Sequence, residues 1–198
     1  MPQKRLATAL IVTAFLTLLK CVYVEYPDTV FRTPDITKLI RTKEPIWTFF
    51  ETGSSRVSCK VDVMITMNER AVLFRRLYIY GGKKYVENYW GLLDNVYKER
   101  MRIWPDGPTF YQIEQVPFVS RDHSCAVVMT TLIGTHVIIA PIRWYELRVR
   151  NSSLATGPRK ECVREFENIL YRRRLVYSPD CQRMLEYTPL ADSTPKQL

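Results

Sequence analysis

The sequence predicts an all-β fold with added helices: an eight-stranded antiparallel up-and-down barrel, preceded by a short helix and followed by a helix that packs on the barrel. Residues 57–67 alternate between apolar and polar side chains, which is the period of a half-buried strand. Seven further segments have strand composition, and short turn sequences between them allow hairpins. Eight such strands can close around a lumen that holds one small ligand. A β-sandwich is the alternative.

Composition and motifs exclude several classes of protein. The chain has 198 residues, of which 46% are hydrophobic and 25% charged, and this ordinary globular composition excludes a disordered or coiled-coil protein. The chain contains only seven glycines and two histidines, and these low counts argue against a phosphate-binding glycine loop and a His-rich metal site. No G-x-S-x-G, H-E-x-x-H or P-loop motif occurs. We therefore expect a protein that is not an enzyme and needs no cofactor or metal.

The first 21 residues have the pattern of a signal peptide. Lys4 and Arg5 precede an apolar stretch at 6–19, which is shorter than the roughly 20 residues that span a bilayer but typical of a signal-peptide core. A buried N-terminal helix is the alternative, and the cleavage site, placed at Cys21, lacks an A-x-A pattern. We expect a secreted protein without a membrane span. Its barrel domain covers 22–187, and a flexible tail covers 188–198.

The helices and strands follow in order along this domain. Thr33 as N-cap, Pro34 and Asp35 predict the start of a short helix that runs to about Thr42. The first strand surrounds Trp47. The seven later strands are placed at 57–67, 71–80, 85–92, 96–104, 109–116, 124–132 and 136–150. A C-terminal helix is predicted for 158–174, where Cys162, Phe166, Ile169 and Leu170 form an apolar stripe.

Four cysteines remain once the signal peptide is removed, and in a secreted chain four cysteines predict two disulfides. Three connectivities are open from the residues alone. A zinc site is disfavoured because no C-x-x-C occurs and the two histidines lack ligand spacing. Asn151-Ser152-Ser153 is a sequon, so we expect N-glycosylation at Asn151.

The last third of the chain carries an ordered set of motifs. In order, they are Ser124-Cys125, Tyr145-Glu146-Leu147-Arg148, Pro158, Cys162-x-x-x-Phe166, Val176-Tyr177-Ser178 and Cys181. Their order and spacing resemble the tick salivary lipocalins of the histamine-binding-protein family. The resemblance covers about residues 120–182 and extends to the strand around Cys59. The G-x-W motif of ordinary lipocalins is missing around Trp47, and the tick members tend to lack it as well.

The resemblance implies a fold, two disulfides and a ligand. It implies a lipocalin barrel with Cys59 paired to Cys181 and Cys125 paired to Cys162. It also implies that the protein binds histamine or serotonin in tick saliva and so reduces the host's inflammatory response. Glu146 matches a ligand carboxylate of the family. Two departures stand out: Arg148 replaces the usual tryptophan, and Ala126 replaces an acid.

Strand alternation predicts which side chains face the lumen. If Tyr145 and Leu147 lie under the C-terminal helix, then Trp144, Glu146 and Arg148 point inward; a polar side that faces water is the alternative. The ligand-binding residues predicted in this way are Glu146, Arg148, Trp104 and Phe110, with Arg100 and Arg102 near them. Such a cationic cavity would favour a carboxylate lipid, for example a fatty acid or a leukotriene. A protonated amine could still use Glu146 with Trp104 and Phe110.

The function expected from these observations is sequestration of a host inflammatory mediator by a secreted, monomeric small-ligand carrier. The family favours an amine, and the predicted pocket charge favours an anionic lipid. The alternative is a barrel scaffold that binds a host complement or clotting protein through its loops. The basic run Arg172-Arg173-Arg174 belongs to a solvated helix face or to a polyanion-binding surface. Nucleic acid is not an expected partner because basic and aromatic residues do not alternate.

Overall fold

Eight antiparallel strands close into a barrel, which confirms the predicted fold class over the sandwich. The computed structural model describes residues 34–105, 110–134, 142–169 and 173–186. The strands are β1 Ile46–Glu51, β2 Val57–Met67, β3 Ala71–Tyr80, β4 Lys83–Leu93, β5 Arg100–Pro105, β6 Phe110–Val119, β7 Cys125–Gly134 and β8 Ile142–Arg150. Strands β2 to β8 pair in chain order, and β1 closes the barrel by pairing with both β8 and β2. The predicted signal peptide and tail lie outside the described residues.

One strand begins later than the sequence predicts. The strand expected from residue 96 begins at Arg100, because the Asp94 carboxylate accepts hydrogen bonds from the backbone N–H groups of Val96 and Tyr97, both at 2.9 Å, and holds a turn there. The last strand was expected from residue 136 and is described from Ile142. Residues 135–141 lie outside the described part.

The short N-terminal helix is α1, Ile36–Ile40. Its N-cap is Asp35, whose carboxylate accepts a bond of 2.9 Å from the Thr37 N–H, whereas the predicted cap, Thr33, lies outside the described residues. Ile36 and Leu39 are fully buried against the apolar end of the barrel. The helix therefore closes that end of the lumen.

The C-terminal part of the chain covers one side of the outer wall. Helix α2, Lys160–Glu167, is shorter than the predicted 158–174 and buries Cys162 and Phe166 against β7 and β8. Strand β9, Arg174–Leu175, then pairs with β1, and helix α3, Arg183–Glu186, follows. The predicted packing of a C-terminal helix on the barrel is confirmed.

Strand β2 is turned so that its polar side faces the lumen. Val61 is fully buried on the outside, in a cluster with Tyr177 and Met184 of the C-terminal segment. Lys60 and Asp62 consequently point into the barrel, where they form ion pairs with residues of other strands. The covering segment removes the apolar face of β2 from water, so the lumen receives the charges.

Candidate functional site

Six charged side chains from four strands meet in the lumen. The lumen cluster, as we call it, consists of Lys60, Asp62, Arg76, Glu114, Glu146 and Arg148. They are brought together by alternation, since each occupies an inward position on β2, β3, β6 or β8. No member exposes more than 12% of its side chain. Burial of this kind requires that the charges compensate one another.

Arg148 lies at the centre of the lumen cluster. Its guanidinium donates to both oxygens of Glu114, at 2.5 and 2.8 Å, and to Glu146 at 2.9 Å. Glu146 also accepts bonds from the Lys60 ammonium at 2.6 Å and from the Trp144 indole N–H at 2.8 Å. The hydrogen-bonding capacity of Glu146 is therefore used within the protein.

Arg76 completes the cluster from the other side. It donates two bonds to Asp62, at 2.7 and 2.8 Å, and one to Glu114 at 2.9 Å. Three cations thus face three carboxylates. The cluster is balanced, and it does not leave the excess of positive charge that the sequence predicts for the lumen.

The pKa values of the carboxyl groups reflect this arrangement. Burial alone would raise the pKa of Glu114, but Arg148 and Arg76 outweigh burial and lower it to about 2. Burial would likewise raise the pKa of Glu146, but Lys60 and Arg148 outweigh burial and hold this pKa well below its ordinary value. Both groups are carboxylates at neutral pH, as the ion pairs require.

We expect the protein to lose stability in acid because of this cluster. The pKa of Glu114 falls from 4.5 to about 2 on folding, so the unfolded chain binds more protons between these values. Its contribution is present above pH 4.5 and disappears as pH falls toward 2, by about 3 kcal/mol for this group. Urea unfolding at a series of pH values measures the slope. A free energy of unfolding that stays flat across this range would contradict the ion-paired cluster.

The structure separates the predicted ligand residues into two groups. Glu146 and Arg148 face the lumen as predicted, with 0% and 2% of their surface exposed. Arg100, Arg102 and Trp104 lie on the outer face of β5, so their predicted position at the lumen is corrected. Phe110 occupies the first position of β6, and its side chain lies outside the described part of the chain.

The reason lies in the other residues of β5. Met101 and Ile103 alternate with the predicted residues and are buried in the apolar core that also contains Val72 and Phe74. Only one face of a strand can point inward, and here the apolar face does. Arg102 is consequently exposed, and the partly exposed Arg100 pairs with the buried Glu99 at 3.7 Å.

A cavity of about 1100 Å³ lies on the mouth side of the lumen cluster. Along the inner face of β3 the residues change from apolar Phe74 through Arg76 to Tyr78 and Tyr80, so the cluster forms the floor. The aromatic residues of the wall are Tyr78, Tyr80, Tyr85, Tyr89 and Trp144. Its charged residues are Glu51, Lys60, Arg76, Glu87, Arg143 and Glu146.

Glu87 differs from the other carboxylates of this cavity. Glu51 pairs with Arg174 at 2.5 Å, and Glu146 pairs with Lys60 and Arg148. Glu87 is half-buried, accepts a hydrogen bond of 2.8 Å from the Tyr89 hydroxyl and has no cationic partner among the described residues. It is the carboxylate that remains available to a ligand.

Tyrosine rings surround Glu87. Tyr78 and Tyr85 stack with ring centroids 5.3 Å apart. Burial and the neighbouring Glu87 raise the pKa of Tyr78 to about 12, and burial, chiefly, also raises that of Tyr89. Both phenols are neutral at physiological pH. In the lining of the same cavity, the side-chain oxygen of Gln112 is buried without a hydrogen-bond partner among the described residues.

Sequence reasoning missed Glu87 and the tyrosines, although a signal was present. Tyr85, Glu87 and Tyr89 alternate along β4, and Tyr78 and Tyr80 alternate along β3, on the two sides of the Gly81-Gly82 turn. A paired register places these side chains on one face. The sequence assigns both strands but does not say which face is inward.

The predicted cysteine pairing is confirmed. Disulfides join Cys59 to Cys181 and Cys125 to Cys162, so each ties the C-terminal part of the chain to a barrel strand. The Asn151 side-chain oxygen accepts bonds of 2.9 Å from the Trp47 indole and the Gln182 amide. Glycosylation of Asn151 stays a prediction, and a sugar on its amide nitrogen would leave both bonds in place.

The described residues contain neither a metal-binding cluster nor a helix that could span a membrane. The described part of the chain contains no group of three or more His, Cys, Asp or Glu side chains placed to hold a metal ion. None of its helices is long and apolar enough to cross a membrane.

Comparison with known proteins identifies the fold. No family model matches the chain, and no curated protein matches it. Among solved structures, it is similar to apocrustacyanin C2, with 11% identity and a TM-score of 0.56, over 79% of this chain and 87% of that one. Lobster apocrustacyanin A1 matches with 12% identity and a TM-score of 0.55, again over 79% and 87%. A bovine odorant-binding protein mutant matches at 12% identity and a TM-score of 0.47, over 63% and 81%.

The crustacyanin matches show that this chain has the lipocalin fold. The agreement covers the closed barrel and its short helices. At these identities it shows the fold alone, and this fold is typical of proteins that bind small ligands.

Proposed function

We propose that this protein binds and sequesters a small protonated amine, such as histamine or serotonin, in the cavity above the lumen cluster. The observation that carries the proposal is Glu87, a half-buried cavity carboxylate with no cationic partner among the described residues. An ammonium group supplies the missing positive charge and donates to the carboxylate. The protein acts by holding the ligand, without catalysis.

The surroundings of Glu87 support an organic cation. The faces of Tyr78 and Tyr85 carry the negative side of the ring quadrupole, which attracts an ammonium group or a charged imidazole. The buried side-chain oxygen of Gln112 offers a second acceptor for an N–H donor. An aromatic amine uses both features at once.

The charges of the lumen favour an amine over a fatty acid or a leukotriene. Arg148 and Arg76 are saturated by carboxylates, and Arg100 and Arg102 lie outside the barrel. Arg143, at the cavity wall, is the cation there that has no carboxylate partner among the described residues. The volume admits both ligand classes, but Arg143 is exposed to water whereas Glu87 is half-buried, so the carboxylate attracts a charged ligand more strongly.

Secretion and the biological role are part of the same proposal. The N-terminal pattern and the two disulfides support export to an oxidising environment. The resemblance to tick salivary histamine-binding proteins supports a role at a bite, where removal of a host mediator reduces inflammation. We propose that the mature chain acts as a monomer.

The test replaces Glu87 with glutamine. We expect Glu87→Gln to raise the dissociation constant for histamine or serotonin by about 10–100-fold, because an amide cannot compensate an ammonium charge and charged hydrogen bonds contribute about 1.5–3 kcal/mol. Isothermal titration calorimetry on the wild type and the variant measures the change. Glu69→Gln is the matched control, since Glu69 is exposed in the β2–β3 turn and its replacement by glutamine removes the same charge.

The outcomes separate the ligand classes. If the wild type and Glu87→Gln bind the amine with equal affinity, Glu87 is not part of the amine-binding site. Tight binding of oleate or leukotriene by the wild type, with no response to amines, would reject the amine and return the acidic lipid to first place. Loss of affinity in Glu69→Gln as well would indicate a general effect of charge.

A further inference from the structure

An apolar stripe crosses the outside of the barrel from β3 to β7. We call it the outer stripe, and it consists of Leu73, Trp90, Trp104, Tyr111 and Ile133. The register aligns them: Leu73 pairs with Trp90, Trp90 with Trp104, and Tyr111 with Ile133. Trp104 and Tyr111 stand directly beside the paired residues Ile103 and Gln112. At a spacing of about 4.8 Å between strands, the stripe is about 19 Å long.

The charged residues directly beside the outer stripe are arginines. The arginines on the outer face of these strands are Arg75, Arg100 and Arg102. None of the outward-facing residues described in β3, β4, β5 and β6 is Asp or Glu. Arg75 and Arg102 lie one inward–outward period from the stripe, and neither forms an ion pair among the described residues. Farther along β5, Arg100 pairs with Glu99, and Asp94 at the end of β4 lies near Arg100 and Arg102. The face therefore combines aromatic surface with two flanking arginines, Arg75 and Arg102, that form no ion pair among the described residues.

The rest of the outer wall is covered by the chain itself. Helix α2 packs on β7 and β8, and the segment around Tyr177 and Met184 packs on β1, β2 and the distal part of β3. Within the described residues nothing comparable covers the outer stripe, where Trp90 and Tyr111 keep 40% and 38% of their surface exposed. Contiguous exposed apolar surface of this kind marks an interaction site.

We propose that the outer stripe is a docking surface for a protein partner that presents carboxylates around an apolar centre. Tryptophan, tyrosine and arginine are the residues that dominate binding energy at protein interfaces, and all three occur here. The surrounding arginines supply charge complementarity to an acidic partner. This inference is independent of the proposed amine site, which lies on the inner face of the wall.

Charge argues against a second copy of this chain as the occupant. A two-fold contact brings the same face of two molecules together. Arg75 and Arg102 would then meet their own copies, with no carboxylate directly beside the stripe to compensate them. Like charges in such a contact disfavour association.

Side-chain packing argues against a membrane. Insertion at a lipid surface needs apolar groups that project about 5–10 Å into the headgroup region. Trp90 and Tyr111 lie largely against the barrel wall, since less than half of each is exposed. Such a surface suits a complementary protein better than a bilayer.

The experiment selects partners without presuming their identity. The full mature protein is immobilised, and a random peptide library displayed on phage is enriched on it. We expect the enriched peptides to combine Asp or Glu with Trp, Tyr or Leu. We also expect Arg102→Glu to weaken their binding about tenfold or more and Trp90→Ala to weaken it similarly.

The matched control is Arg164→Glu on α2, on the covered side of the barrel. Arg164 exposes 70% of its side chain, so the charge reversal is the same and the position is different. Its affinity for the selected peptides should equal that of the wild type. Thermal unfolding of Arg102→Glu checks that the barrel is intact, which keeps the test valid if Trp90→Ala does not fold.

Four results would overturn the proposal. Two concern the selection: that no peptide is enriched, or that the enriched peptides lack acidic residues. The other two concern peptide affinity: that Arg102→Glu and Arg164→Glu reduce it equally, or that neither variant reduces it. Two further results would also reject the proposal, because they would show that the outer stripe binds a different occupant. One is binding to phosphatidylserine vesicles that Arg102→Glu abolishes. The other is a concentration-dependent dimer in sedimentation that the same change abolishes.

Discussion

Replacing Arg148 with methionine is expected to lower the free energy of unfolding by about 3–5 kcal/mol. Arg148 compensates Glu114 and Glu146 in the lumen cluster, and all three side chains are at most 3% exposed. Without it, three buried carboxylates face only Lys60 and Arg76. The cost is mostly that of an uncompensated buried charge, and chemical denaturation of wild type and variant measures it.

Two companion variants make this result specific. Arg102→Met removes the same charge from the exposed face of β5 and should change the free energy of unfolding by less than about 0.5 kcal/mol. Adding Glu114→Gln to Arg148→Met restores equal numbers of cations and carboxylates, so part of the loss should be recovered. If Arg148→Met and Arg102→Met are equally stable, the assignment of inner and outer faces is wrong.

Removing the disulfide between Cys59 and Cys181 is expected to have the largest effect on stability. The bond closes a loop of 122 residues, for which the chain-entropy model gives about 5 kcal/mol. The Cys59→Ala/Cys181→Ala variant should also release the C-terminal segment, which buries Trp47 and Val61 through Tyr177. Denaturant unfolding and limited proteolysis near residue 176 measure the two effects.

The second disulfide provides the comparison. Cys125→Ala/Cys162→Ala opens a loop of 37 residues, so the expected loss is smaller, about 4 kcal/mol, and affects the packing of α2. The segment around Tyr177 should stay protected from protease in this variant. Equal protease sensitivity of the two variants would contradict the separate roles of the two bonds.

The lumen cluster also explains why the candidate ligand site lies near the mouth. The resemblance described in the sequence analysis implies that Glu146 contacts the ligand. Here Arg148, which replaces the usual tryptophan, donates to Glu146 and Glu114 and fixes both within the protein. The nearest carboxylate that stays available is Glu87, one layer closer to the mouth.

Much of this protein followed from its sequence. The alternation at 57–67 and the turns at Asn68-Glu69 and Gly81-Gly82 are local properties of the chain, so they predicted the strands and hairpins correctly. The residues alone left three cysteine connectivities open, and only the family resemblance implied the two pairings that the structure has. The inward direction of Glu146 and Arg148 was predicted on the condition that Leu147 lies under a C-terminal helix, and the structure buries Leu147 with Cys162 and Phe166 of α2.

The tertiary structure determined which face of each strand points into the lumen. A period of two separates the faces of a strand but does not choose the inner one, and the apolar side of β2 points outward while that of β5 points inward. The choice depends on long-range partners: the C-terminal segment covers Val61, whereas α1 and the closed end of the barrel enclose Ile103. The same long-range pairing joined Arg148 with Glu114 and left Glu87 without a cation, because charge balance in a lumen is a property of all its strands together.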